Sequence, residues 1–207
     1  MPRPRSLTTA DLASAALAVL DRAGLSALTM RAVAQELGMA TMALYRYVAD
    51  RDALEILMVD QILETVDSAL PTDADWTVRV RILLDRARTA IGAHPAAVPL
   101  VLRYRQSSPA SMCWMEAMLS ALTDAGFRGD DRVIAQRSAV AFLLGFLQNE
   151  HYASIAGAGT AALASATDFP LLAETAAQAR TLSADAEFDG GVEILLRGLS
   201  GHPARKR

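Results

Sequence analysis

The sequence predicts an all-α protein. Alanine and leucine dominate it, aromatic residues make up only 5% of its 207 residues, and no window alternates Val, Ile, Thr and Tyr with the period of two that a half-buried strand requires. Apolar residues instead recur at helical spacing between Pro, Gly and Asp breaks.

A first helix starts near Thr8 or Thr9, where a hydroxyl can cap and Asp11 falls in the first turn. It carries Leu12, Ala16, Val19 and Leu20 on one stripe and ends at Gly24. Thr29 caps a second helix, Met30 to Leu37, with Val33, Ala34 and Leu37 inward, and Gly38 supplies the freedom for a sharp turn. A third, short helix runs from Thr41 to Val48. Asp50 caps a long amphipathic helix from Arg51 to Leu70, with Leu54, Leu57, Met58, Ile62 and Val66 on its apolar face and Pro71 as its stop. Further helices are expected near 75–93, 96–106, 109–125, 130–156, 170–181 and 186–199, and the stretch Gly157 to Thr167 reads as a flexible loop.

A hydrophobic content of 52% is ample for a buried core without staples. The single Cys113 forms no internal disulfide and reads as a small buried hydrophobe. No Cys/His spacing suggests a metal site, so no metal or cofactor is expected. No apolar run reaches the roughly 18 to 20 residues that span a bilayer, and the N-terminus lacks a signal-peptide core, so a soluble, cytoplasmic protein is expected. The net charge of −3 conceals an asymmetry: residues 1–51 carry six arginines against four acids, +2, and the remainder −5. The expected division is a helix-turn-helix DNA-binding domain over 1–52, a helical ligand-binding and dimerisation domain over 53–202, and a disordered basic tail over 203–207. Arg3 and Arg5 are expected to help hold DNA.

The run from Leu28 to Met39 places a short helix before a glycine turn, and Ala40 to Val48 supplies the next helix. That is the order of a helix-turn-helix, whose second helix offers its N-terminal side chains to base edges. Thr41, Met42 and Ala43 occupy that tip. Tyr45 and Tyr47 can donate to phosphates, as can Arg51 at the next helix start, and Arg31 can fork onto guanine O6 and N7. Ala40, Thr41, Met42 and Ala43 offer few hydrogen bonds, so readout leans on thymine methyls and DNA shape.

Leu28 to Gly38, then Ala43-Leu44-Tyr45-Arg46-Tyr47-Val48 and Arg51-Asp52-Ala53-Leu54, together resemble the signature of the TetR (tetracycline repressor) family over roughly residues 8–57. Arg51 stands where many members have lysine, and Tyr47 where histidine or phenylalanine is frequent. The resemblance implies a homodimer on a near-palindromic double-stranded DNA operator and a C-terminal domain for a small-molecule effector. It places DNA contacts at Thr29, Arg31, Thr41, Met42, Ala43, Tyr45, Tyr47 and Arg51.

In the C-terminal half the residues themselves must speak. Val133 to Tyr152 is strongly apolar, and Phe188, Val192, Leu195, Leu196 and Leu199 share a face of the last helix. Two such helices from each of two subunits would form a four-helix interface, with Gly145 and Gly191 permitting close approach. His94, Arg103, Tyr104, Met112, Trp114, Met115 and Met118 combine thioethers, aromatics and polar anchors suited to a bulky, partly apolar ligand, with Phe146 and Asn149 reaching it from the long helix. The same Met and Trp stripe also fits ordinary core, and Asn149 and His151 also fit a subunit interface. No GxSxG elbow, HExxH pair, P-loop or Rossmann glycine pattern is present, so an enzyme is not expected. The expected function is a ligand-released repressor. An activator or architectural DNA binder without a ligand is the alternative, and a helical enzyme comes after it.

Overall fold

A computed structural model describes residues 7–201; Arg3, Arg5 and the Arg205-Lys206-Arg207 tail fall outside the described residues. The protein is 74% helical with no strands among them. The helices are α1 (Thr9–Ala23), α2 (Met30–Glu36), α3 (Thr41–Leu44), α4 (Arg51–Glu64), α5 (Trp76–Gly92), α6 (Val98–Tyr104), α7 (Pro109–Asp124), α8 (Gly129–Ala153), α9 (Ala158–Leu163), α10 (Pro170–Ala179) and α11 (Ala184–Ser200). They divide into two compact units, one of residues up to 69 with 85–117, the other of 70–84 with 118 onward.

In the first unit, local chemistry sets the helix starts. The Thr8 hydroxyl accepts from Asp11 N at 3.1 Å while the Asp11 carboxylate accepts from Thr8 N at 2.8 Å, a reciprocal box that satisfies two orphan donors. Asp50 accepts from Ala53 N at 2.8 Å and starts α4. Leu12, Ala16 and Leu20 of α1 pack without exposure, as do Leu54 and Met58 of α4 to within 1%. The start of α7 is capped from far along the chain. Asp60 of α4 accepts from the Ser108 hydroxyl at 2.6 Å and from Ala110 N at 3.0 Å, while Ser111 N donates to the Ser108 hydroxyl. Ser108 is fully buried. Asp60→Ala strands that hydroxyl and an amide, and chemical denaturation is expected to show a loss of about 1–3 kcal/mol; a variant as stable as wild type contradicts the assignment.

Several elements differ from the sequence expectation. Helix α4 stops at Glu64, before Leu70, because the Thr65 hydroxyl donates to Ile62 O at 2.7 Å and Arg86 donates to the carbonyls of Asp67 and Ala69 at 2.6 and 2.7 Å. Side chains thus satisfy the backbone where another helical turn would have done so. The expected helix over 96–106 is a 3₁₀ turn, Pro95–Ala97, followed by α6, since neither Pro95 nor Pro99 can donate a backbone hydrogen bond. The expected loop Gly157 to Thr167 contains α9, whose alanine content favours helix once Gly157 O accepts from Ala161 N at 3.1 Å. Cys113 is exposed rather than buried: Ser111, Trp114 and Met118 take the inward face of α7, and a residue one step before Trp114 is turned about 100° away from it.

The second unit centres on Phe188 of α11, fully buried, with ring centroids 4.9 Å from Phe146 and 5.5 Å from Phe142 of α8. Gly191 makes this possible, since a Cβ there would lie 2.5 Å from Phe142 Cε2. The expected close approach at Gly191 therefore already serves a contact within the chain. Gly145 has nothing within 4 Å of its would-be Cβ. Gly191→Ala is expected to destabilise by about 1–3 kcal/mol through overpacking, whereas Gly145→Ala gains about 0.5–1 kcal/mol of helix propensity. A thermal melt showing the opposite order would refute the contact. Val133, Ile134, Tyr152 and Ile194 remain on the surface of α8 and α11.

Candidate DNA interface and its coupling to the core

Behind the head lies a dry core. Leu28, Val33, Ala34 and Leu44 have no exposed surface, and Val48 little. The Gly38 turn has φ +66°, a left-handed value that glycine adopts without strain, and Met39 N closes back onto Ala34 O at 2.9 Å. Arg22 of α1 and Glu36 of α2 pair at 2.6 Å. The hydrogen bond from Arg22 holds the Glu36 carboxyl below the ordinary carboxylate range, so this brace stands at neutral pH and is lost as pH falls through that lowered value.

The tip beyond the turn is shorter than the expected Thr41 to Val48 helix. Regular helix ends at Leu44, and Tyr47 N bonds Leu44 O at 2.9 Å in a tighter turn. The turn leaves Met42 77% exposed, Tyr45 44% and Tyr47 39%, with Thr41 and Ala43 half-buried at the same tip. Thr29 caps α2 by accepting from Ala32 N at 3.1 Å, which leaves its hydroxyl proton available. Arg31 is exposed with no ion pair among the described residues. Arg46 is likewise exposed, with no ion pair among the described residues.

Arg51 is tied inward. Its Nε donates to Glu55 Oε1 at 2.6 Å, and Glu55 is 2% exposed against 45% for the Arg51 side chain. One residue on, Asp52 accepts from the Tyr104 hydroxyl of α6 at 2.8 Å, and Arg103 lies 3.7 Å from the same carboxylate and 4.8 Å from the Tyr104 ring centroid. Burial first, then the Asp52 and Glu55 carboxylates, push the Tyr104 phenol well above its ordinary range. It therefore stays a donor at any physiological pH. The α4 end that carries Arg51 is thus bonded directly to α6.

Among the other residues expected at a ligand pocket, His94 bonds Asp21 of α1 through Nδ1 at 2.8 Å. Met112 is exposed, Trp114 buried and Met115 half-buried along α7. These lie in the first unit with Arg103 and Tyr104; Met118, Phe146 and Asn149 lie in the second. Met118 and Phe146 are core there, and Asn149 is exposed. No cluster of His, Cys, Asp or Glu that could hold a metal occurs among the described residues. No helix among them is long and apolar enough to cross a membrane.

Residues 7–54 match the family described as bacterial regulatory proteins, tetR family, and residues 69–202 match the tetracyclin repressor-like C-terminal domain. The chain belongs to the TetR family. It is 30% identical to the class E tetracycline repressor protein of Escherichia coli, over 97% of this chain and 94% of that protein. It is 29% identical to the HTH-type transcriptional repressor DrrR1 of Streptomyces coeruleorubidus, over 73% of this chain but only 56% of that repressor's length. Among solved structures of the family, ActR of Streptomyces coelicolor in complex with actinorhodin aligns with a TM-score of 0.80 at 27% identity, over 95% of this chain and 96% of that one. BioQ with its natural double-stranded DNA operator aligns with a TM-score of 0.72 at 25% identity, over 95% of this chain and all of that one. As a TetR-family member, the chain is a helix-turn-helix transcriptional regulator.

Proposed function

We propose that the protein is an effector-released repressor that binds a near-palindromic operator as a homodimer. The observation that carries this reading is the exposed helix-turn-helix, with Met42, Tyr45 and Tyr47 on the surface at its tip and Arg31 exposed on α2 with no ion pair among the described residues. Arg31 reads a guanine, Thr41, Met42 and Ala43 meet base edges, and Thr29, Tyr45, Tyr47 and Arg51 hold phosphates. Two heads are needed to address half-sites one helical turn or a multiple apart, and α8 with α11 is the surface on which two copies join. The head of residues 1–52 serves an effector domain of residues 53–202. The effector is small and partly apolar, with His94, Arg103, Tyr104, Met112, Trp114 and Met115 of the first unit as the residues through which it acts.

The names of relatives support this reading: one is a repressor, one structure holds actinorhodin and another an operator. The Tyr104 to Asp52 bond gives effector binding a route to Arg51. A coupling of ~1–3 kcal/mol changes operator affinity roughly 5- to 150-fold. The test is an anisotropy titration on DNA flanking the coding region, comparing wild type with Arg31→Ala and Tyr45→Phe. Saturable, salt-dependent binding weakened by Arg31→Ala supports the reading. Absence of specific binding, there and after unbiased operator selection, retires it.

A further inference from the structure

Among the described residues of the head, the cations are Arg22, Arg31, Arg46 and Arg51. Two of them are spent within the chain: Arg22 pairs with Glu36 at 2.6 Å, and Arg51 gives its Nε to Glu55 at 2.6 Å. Each remaining carboxylate of the head also has a partner. Asp11 accepts from Thr8 N, Asp50 from Ala53 N and Asp52 from the Tyr104 hydroxyl, and Asp21 lies 2.8 Å from His94 Nδ1. Arg46 is exposed, and its side chain has neither an ion pair nor a hydrogen bond among the described residues.

The backbone sets the direction of Arg46. Its N bonds Ala43 O at 3.3 Å, and Tyr47 N bonds Leu44 O at 2.9 Å, each across three residues. In so tight a turn, residues three apart lie one above the other. Arg46 therefore follows Ala43 along one side of the element, while Leu44 and Val48 are buried on another. A rise of about 2 Å per residue puts Arg46 about 6 Å beyond Ala43, away from the Thr41 end. Side chains at the start of a recognition helix are the ones that reach base edges, so a cation one turn later stands off the bases. It is flanked by Tyr45 and Tyr47, both exposed. The whole chain carries a net charge of −3, so its hold on a polyanion must come from local, unbalanced cations of this kind.

We propose that Arg46 is the main sequence-independent DNA anchor of the head, bound to a backbone phosphate at the end of the recognition element away from Thr41. The assignment rests on the helix-turn-helix docking of the repressor reading. Arg31 and Arg46 divide the work: one reads a base pair, and the other neutralises a phosphate and releases its counterions. Arg51 adds less to that release, because Glu55 already balances its charge.

The experiment is an anisotropy titration of the full chain over a series of salt concentrations, on a labelled duplex of scrambled sequence and on operator DNA. A homodimer that loses one phosphate contact in each head is expected to lose about 1.8 from the slope of log affinity against log salt, about 0.9 per phosphate. Arg46→Met is expected to show that loss on both duplexes, with affinity at about 0.1 M salt lower by about 10- to 100-fold. Arg46→Lys keeps the slope, since a phosphate accepts either cation, whereas a bidentate guanine contact is weakened by the exchange. Arg22→Met, whose charge Glu36 balances, is the control for net charge and changes the slope by less than half as much. An unchanged slope for Arg46→Met, a loss confined to operator DNA, failure of lysine to keep the slope, or an equal change for Arg22→Met overturns the proposal. Scrambled DNA bound with the expected Arg46 dependence, and no operator selected, would sink the repressor reading and leave the anchor standing. Operator binding indifferent to Arg46→Met would do the reverse, and wild type that binds neither duplex overturns both.

Discussion

Arg51→Ala is expected to destabilise the protein by up to about 3 kcal/mol, the low end of the range for breaking a buried pair, because the Arg51 end is half in water. Glu55 is only 2% exposed and loses its 2.6 Å cationic partner, so the penalty arises from a buried carboxylate left without its counter-charge more than from the attraction removed. The expectation separates stability from DNA binding. Glu55→Leu added to Arg51→Ala removes the stranded charge and restores most of the stability, yet leaves the phosphate contact missing. Urea denaturation and operator titration of the single and double variants read the two effects independently. If the double variant is no more stable than Arg51→Ala, Glu55 is not the source of the loss.

Arg31→Ala has the largest effect expected on function. A good bidentate contact to guanine is worth ~1–3 kcal/mol, and a homodimer loses it in both heads, so operator affinity is expected to fall by about 30-fold to about 10⁴-fold. Stability stays close to wild type, since the side chain is exposed and makes no ion pair among the described residues. With Tyr45, Tyr47 and Arg51 on phosphates as proposed, non-specific binding at low salt is expected to persist. Tyr45→Phe weakens binding about equally on all sequences. A loss of similar size on operator and random DNA for Arg31→Ala would show that this arginine positions the head without reading it.

Where a signal is local, the sequence displayed it. Thr8 with Asp11, Thr29 and Asp50 are capping side chains within three residues of the amides they serve, and Gly38 marks its own turn. The outward positions of Arg31, Met42, Tyr45 and Tyr47 follow from the same spacing. Contacts that join distant segments left no such trace. Asp60 with Ser108, Tyr104 with Asp52 and His94 with Asp21 pair residues 48, 52 and 73 positions apart, and residue type alone cannot choose among so many partners. Tyr104 suits a ligand pocket by its chemistry, but that its hydroxyl is committed to Asp52 is not legible in the sequence. Helix α4 read as longer because the groups that end it, Thr65 and Arg86, act through hydrogen bonds that apolar periodicity does not contain.

Arg51 and Asp52 are neighbours on α4, so the cation proposed to meet DNA and the carboxylate held by Tyr104 are about 1.5 Å apart along the axis and about 100° apart around it. A pull on Asp52 therefore acts as a torque. It rolls α4 about its own length, as a cam turns on a shaft, and needs no swing of the far end at Glu64. At the side-chain radius of roughly 6 Å, a roll of about 10° carries the Arg51 guanidinium about 1 Å sideways. That distance exceeds the spread of a hydrogen bond's working length, so, with Arg51 on a phosphate as proposed, a displacement of α6 too small to disturb the core would be enough to break that contact.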